Sequence, residues 1–308
     1  MADPDWYQRP LNWQDVLAGA SLIGISVVTA IIYTISIRIM KRQDKVIIGY
    51  RFLVSAGFLD ILMLFNYGIW PGVTIVSKSE IIPKEWRHWL QFYLDWAWFA
   101  MVWHITLVAW SRWSAIRSPY SYKYQRRLHS YAICGCFFLV SLAEAHCIKR
   151  QANENICCYD LMHSTSAFIK VLATHFQSWY VTFYYEPSLY GMLAEDISLY
   201  LSGGQSTLFL INNLIAIIPA IIFYTWSVIL LVKLRSVVSS ESMHTTYTNV
   251  ERRLLIPCII NMAVFSVGQV AITFGTGNGK WSGFLVMLIF CTKSALNLYL
   301  LLIFSKSL

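Results

Sequence analysis

Asp60, Asp95 and Lys293 stand inside long apolar stretches of this 308-residue chain. Each would be costly to bury alone, so each is a candidate for function. A carboxylate and an ammonium that meet in an apolar interior stabilise one another, because either alone loses its hydration without return. At 1.5 Å of helical rise per residue, Asp60 lies about 22 Å beyond Lys45, and Lys293 about 20 Å before Lys306. The two depths match. Asn297 follows Lys293 by one turn on the same face, and Ser294 is its neighbour. The expectation is a buried polar centre of Asp60, Lys293, Ser294 and Asn297 that holds two alternative arrangements and so acts as a switch. A static pair that only fixes helix register would use the same residues.

Asp95 lies about 25 Å beyond Arg112 by the same count, near the other end of its helix. Trp98 and Phe99 sit one turn away on its face. An acid beside aromatic rings suits a cationic or hydrogen-bonding ligand, which makes Asp95, Trp98 and Phe99 the candidate ligand site. An interfacial acid reaching for water is the other reading. The series Trp89, Phe92, Trp96, Phe99 and Trp103 reads as a packing surface. His104 reads as a packing histidine, since no second His or Cys stands at metal-ligand spacing. Arg51 and Glu144 lie near helix ends, where snorkelling suffices. Cys134, Cys136, Cys147, Cys258 and Cys291 read as small apolar side chains. Only Cys157 and Cys158, adjacent in a polar loop, offer a candidate disulfide. No His/Asp/Glu or Cys/His set shares one depth, so neither an enzyme nor a cofactor is expected.

The elements that would hold these residues are long apolar helices. The chain is 57% hydrophobic and 13% charged, with a mean hydropathy of +0.52, whereas a soluble domain carries about a quarter charged residues. Thirteen Trp and eighteen Tyr suit two membrane interfaces. The net charge of +8 is scattered through short loops, which fits an anionic membrane surface and not nucleic acid. Seven runs are long enough to span a bilayer: 16–40, 46–76, 89–116, 128–148, 206–234, 254–274 and 281–304. They define one all-α domain, a polytopic seven-helix bundle over residues 1–308, with a long outer loop at 149–205. Pro71 and Gly72 are expected to kink or end the second helix. Pro219 and Pro257 are expected to kink the fifth and sixth. Met1 to Trp13 is polar and acidic and does not read as a cleaved signal peptide. Basic residues concentrate after the first, third and fifth runs, which puts the N-terminus outside and the C-terminus in the cytoplasm.

Ser111-Arg112-Trp113, followed by Ala115-Ile116-Arg117-Ser118-Pro119, resembles the acid–Arg–aromatic motif of rhodopsin-like G-protein-coupled receptors and their Ala-Ile-x-x-Pro continuation. Ser55 to Asp60 resembles their helix-two motif ending in Asp, and Asn297 the helix-seven Asn. The resemblance implies that Arg112, with Ser111 and Trp113, faces a heterotrimeric G protein in the active state. Ser111 stands where the family has an acid, which implies a lost ionic restraint and easier basal activation. Lys293 and Ser294 take positions that help hold sodium beside the helix-two Asp in the family, so Lys293 would be a built-in cation.

Gly24-Ile25 replaces the helix-one Gly-Asn, helix four lacks its Trp, helix six lacks Cys-Trp-x-Pro, and no Cys closes the outer end of helix three. Size and loosely kept marks look most like the nematode serpentine chemoreceptors, class X being nearest. That likeness implies a plasma-membrane receptor for an extracellular small molecule or peptide. The retinal-bearing lysine of opsins lies six residues before the helix-seven Asn, and here the interval is four, so a retinal Schiff base is not expected. A seven-helix ligand-gated channel or transporter is the alternative.

Overall fold

The computed structural model describes residues 4–150, 181–202, 205–237, 245–275 and 279–305. Seven long helices follow one another: α1 (Trp13–Gln43), α2 (Gly49–Ser77), α3 (Arg87–Arg117), α4 (Arg127–Arg150), α5 (Gln205–Val237), α6 (Thr245–Gly275) and α7 (Lys280–Ser305). α1, α2, α3, α5 and α7 are long and apolar enough to cross a bilayer, while α4 and α6 show shorter apolar stretches, Arg127–Leu142 and Leu255–Val270.

The burial pattern of α1 runs opposite to that of a soluble helix. Its inner stripe is mostly small or polar (Ala18, Gly19, Ser26, Thr29, Tyr33, Ser36, with Leu22 among them), and Val28, Ile31, Ile35 and Ile39 face outward. This is the arrangement expected where the surrounding solvent is hydrocarbon and helices meet through small and hydrogen-bonding residues. α5 repeats it, with Ala216, Ala220 and Ser227 inside and Leu214, Ile218, Ile222 and Ile229 outside. α3 runs through the centre against α2, α4, α5 and α6, and α1 packs on α2 and α7.

α2 departs from the sequence expectation. It neither ends at Pro71 nor breaks at Gly72 but stays helical to Ser77, with a wide π-type turn at Phe65–Ile69 just before the proline. Proline removes one hydrogen bond and clashes with the carbonyl four residues back; a π-type turn is one way a helix absorbs such a local mismatch. Gly72 permits close packing instead: a Cβ there would fall 2.7 Å from the Gly19 carbonyl oxygen of α1. The helix stops at Lys78, whose φ of 49° is left-handed.

One end of the bundle carries the chain's amino-terminal segment and a two-stranded antiparallel hairpin, β1 (Phe183–Glu186) and β2 (Gly191–Ala194), paired Phe183 to Ala194 and Glu186 to Gly191. This is the hairpin end. Most of the loop that precedes it lies outside the described residues, and Cys157 and Cys158 lie there too. At the opposite end, here the arginine end, the α1–α2 and α3–α4 turns sit together.

Candidate functional site

Three helices converge on Asp60 of α2. Lys293 Nζ donates to its Oδ1 at 2.8 Å, and Ser294 Oγ to the same oxygen at 3.3 Å. Tyr33 Oη of α1 and Asn297 Nδ2 of α7 each donate to Oδ2 at 2.7 Å, and Asn297 Nδ2 also lies 3.1 Å from Tyr33 Oη. All five residues are buried. An ionised carboxylate offers about four acceptor sites, so four donors saturate it. Lys293 is less well supplied, with Asp60 and the thioether of Met101 at 3.7 Å.

A cavity beside the pair is lined by Asp60, Met101, His104, Tyr224, Asn261 and Lys293, among others, and leaves about 30 Å³ for the centre of a water molecule. One water needs about 10–15 Å³ of such space. Asn261 Oδ1 has no protein partner. His104 Nδ1 lies 2.7 Å from the Ala100 carbonyl oxygen and Nε2 lies 2.8 Å from Ser55 Oγ. A carbonyl can only accept, so Nδ1 carries a proton, and Nε2 shares a hydrogen bond with the Ser55 hydroxyl.

Arg112, near the arginine end of α3, is fully buried, and its Nη2 donates to the Gly49 carbonyl at 3.0 Å. The first residue of α2 has to be glycine for this approach, since a Cβ there would fall 2.3 Å from Arg112 Nη1. Ser111 turns its hydroxyl to the Val108 carbonyl of its own helix at 2.8 Å. Trp113 packs on Phe223 of α5, ring centroids 5.4 Å apart, with Arg117 over its ring at 4.8 Å. Arg112 is thus held by a backbone carbonyl of α2, while Ser111 bonds only within its own helix.

Asp95, Trp98 and Phe99 are all buried, but they serve different neighbours. Asp95 Oδ1 accepts from Gln91 Nε2 at 2.7 Å. Trp98 joins Tyr67, Phe265 and Phe290 in an aromatic cluster with centroids 5.0–6.3 Å apart, and its indole N–H has no partner among the described residues. Phe99 packs on Phe209 of α5 at 5.4 Å.

Two further acids organise the bundle ends. Asp15, buried at the hairpin end, takes Trp6 Nε1 at 3.3 Å, Lys280 Nζ at 3.2 Å and the Tyr190 hydroxyl on Oδ1. Its Oδ2 lies 3.3 Å from Lys78 Nζ. Lys78 also donates to the carbonyls of Trp6, Arg9 and Pro10, which straps the amino-terminal segment across the bundle. Tyr7 donates to Glu186 at 2.9 Å; burial and then this carboxylate push its hydroxyl pKa up. At the arginine end, Asp44 accepts from Arg127 and from the Tyr131 hydroxyl at 2.6 Å. Burial alone would raise the Asp44 carboxyl, but these hydrogen bonds outweigh it and hold it below its usual range.

Arg51 does not snorkel. It is buried and donates to the Asp44 carbonyl at 3.0 Å, the Gln125 carbonyl at 2.8 Å and Ser130 Oγ at 3.2 Å. The sequence offered little warning of these nodes. Asp15 and Asp44 sit at helix ends, where an acid reads as solvated, and Tyr33 reads as one more apolar residue.

The architecture fixes a class: a polytopic membrane protein built as a seven-helix bundle, with an ion pair at its centre. Among solved structures the chain is similar to the crystal structure of squid rhodopsin, with a TM-score of 0.66 over 98% of this chain and 80% of that one. The two share 13% of their residues, so the likeness is one of fold. No protein-family model matches the sequence, and no curated protein matches it.

Proposed function

We propose that this chain is a G-protein-coupled chemosensory receptor of the plasma membrane, with its N-terminus outside, its C-terminus in the cytoplasm, and an extracellular small molecule or peptide as ligand. The observation that carries the reading is the buried Asp60–Lys293 pair. It ties α1, α2 and α7 together at the centre of a rhodopsin-like bundle, beside a cavity that reaches α3, α5 and α6. Ligand binding shifts the population between arrangements of this centre. In the resting arrangement Arg112 is closed onto Gly49; in the signalling one it leaves that carbonyl and meets the G protein, with Ser111 and Trp113 beside it. Asp95, Trp98 and Phe99 lie toward the hairpin end, and the unpartnered indole N–H of Trp98 supports a ligand that brings an acceptor. The chemosensory part rests on the sequence likeness to nematode serpentine receptors.

The test has two arms. Tags on the N-terminus and on residues 238–244, between α5 and α6, are compared for antibody access in intact and permeabilised cells. An exposed N-terminus with a hidden loop fits a receptor, and the reverse turns the search to channel conductance. Ligand-evoked G-protein activation is then measured for Asp60→Asn and Lys293→Met. Normal signalling in both would remove the switch role.

A further inference from the structure

We infer that the arginine end carries a binding site for a polyphosphorylated inositol lipid, formed by the α1–α2 turn and the α3–α4 turn. The two turns are clamped together: Arg51 of α2 holds the Gln125 carbonyl, and Arg127 and Tyr131 of α4 hold the Asp44 carboxylate. Around this clamp stand Lys41, Arg42, Lys45, Lys123 and Arg126, all exposed.

Asp44 is the sole acid in residues 38–51 and 117–131. It is fully buried, and both oxygens of its carboxylate are already taken, one by Arg127 and one by the Tyr131 hydroxyl. The patch therefore has no acid of its own left to neutralise it, and its cations repel one another until an outside anion sits among them. A headgroup with several phosphates on one ring can pair with several of these cations at once, which a singly charged headgroup cannot.

The apolar residues point to a lipid and not a free phosphate. Val46 and Leu128, 78% and 82% exposed, stand among these cations, where they gain nothing from water and would lie against acyl chains. Basic clusters at the membrane surface bind such headgroups. The site rests on the proposed orientation, which sets this end at the cytoplasmic leaflet, but not on coupling, because lipid binding is measured without any signalling.

The full-length protein in detergent is mixed with phosphatidylinositol bisphosphate, phosphatidylserine or phosphatidylcholine, and bound lipid is counted by native mass spectrometry. Each cation near an anionic surface is worth about fivefold. The Lys41→Gln/Arg42→Gln/Lys45→Gln variant should then lose on the order of a hundredfold in affinity for the bisphosphate lipid, and Lys123→Gln/Arg126→Gln about twentyfold. These side chains are exposed and leave the Asp44–Arg127 clamp in place, and a monodisperse elution profile checks that both variants fold. Equal binding of bisphosphate lipid and phosphatidylcholine would overturn the site. So would full binding in both variants, phosphatidylserine binding as well at matched total charge, or displacement by the soluble headgroup at the lipid's own affinity.

Discussion

The centre of the bundle makes an asymmetric prediction about its two charges. Lys293→Met leaves Asp60 with three donors, Tyr33 and Asn297 at 2.7 Å and Ser294 at 3.3 Å. Asp60→Asn leaves the Lys293 ammonium with a neutral amide and the Met101 thioether. Breaking a buried pair by removing one partner costs about 3–5 kcal/mol. Asp60→Asn should fall at the upper end, about 4–5 kcal/mol, and Lys293→Met at or below the lower end, about 2–3 kcal/mol. The double variant removes both charges and keeps the shape, so it should return to within about 1 kcal/mol of the parent.

At roughly 2 °C per kcal/mol for a chain of this size, the melting midpoint should drop by about 8–10 °C, 4–6 °C and 2 °C respectively. Cys134, Cys258 and Cys291 are buried, so a rise in labelling by a thiol-reactive dye over the starting signal, to which exposed Cys136 contributes, reports opening of the bundle in detergent. A double variant no more stable than Asp60→Asn would refute the compensation of the two charges. A larger loss in Lys293→Met than in Asp60→Asn would refute the role given to the three remaining donors.

Gly49→Ala puts a methyl group 2.3 Å from Arg112 Nη1; Arg112 should be displaced, and ligand-free G-protein nucleotide exchange should rise several-fold. Asp44 has a folded pKa below its unfolded value, so its contribution to stability is present above pH about 4 and is lost as pH falls through the folded pKa. Asp44→Asn should therefore weaken the protein at pH 7 and flatten its stability profile below about pH 4, as followed by melting midpoints. Gly283→Ala sets a Cβ 2.6 Å from the Leu189 carbonyl oxygen, which should lift the hairpin from α7 at a cost of about 1–3 kcal/mol. Chymotrypsin should then cut within residues 183–194 faster than in the parent.

The sequence speaks most clearly where a residue breaks the apolar background. Seven long runs and two charges inside them are conspicuous, and a constant rise per residue turns position into depth. From Gly49 to Asp60 α2 is unbroken, so counting applies there, whereas Lys45 to Ile48 form the α1–α2 turn and shorten the depth counted from Lys45. What stays hidden are partners whose significance depends on the fold. Tyr33 gains its role from Asp60 and Asn297, and Asp15 from Tyr190 and Lys280, which lie 175 and 265 residues away. Arg51 read as a snorkelling cation because its acceptors, the Gln125 carbonyl and Ser130, belong to another turn. The carbonyl that restrains Arg112 has no side-chain signature at all; glycine at position 49 is its only trace.

The wide turn at Phe65–Ile69 works as a phase shifter in α2. A helix rotates about 100° per residue, so one residue taken up there turns everything beyond it by roughly that angle against everything before. The first half of the rod is keyed to Lys293 through Asp60, and the second to the Gly19 backbone through Gly72. Tyr67, inside the turn, touches Trp98 and Phe290. Deleting one residue between 65 and 69 would restore a single phase, and only one of the two sets of partners could then be met. Torsion at the same place would rotate the aromatic cluster against the charged centre without bending the helix axis.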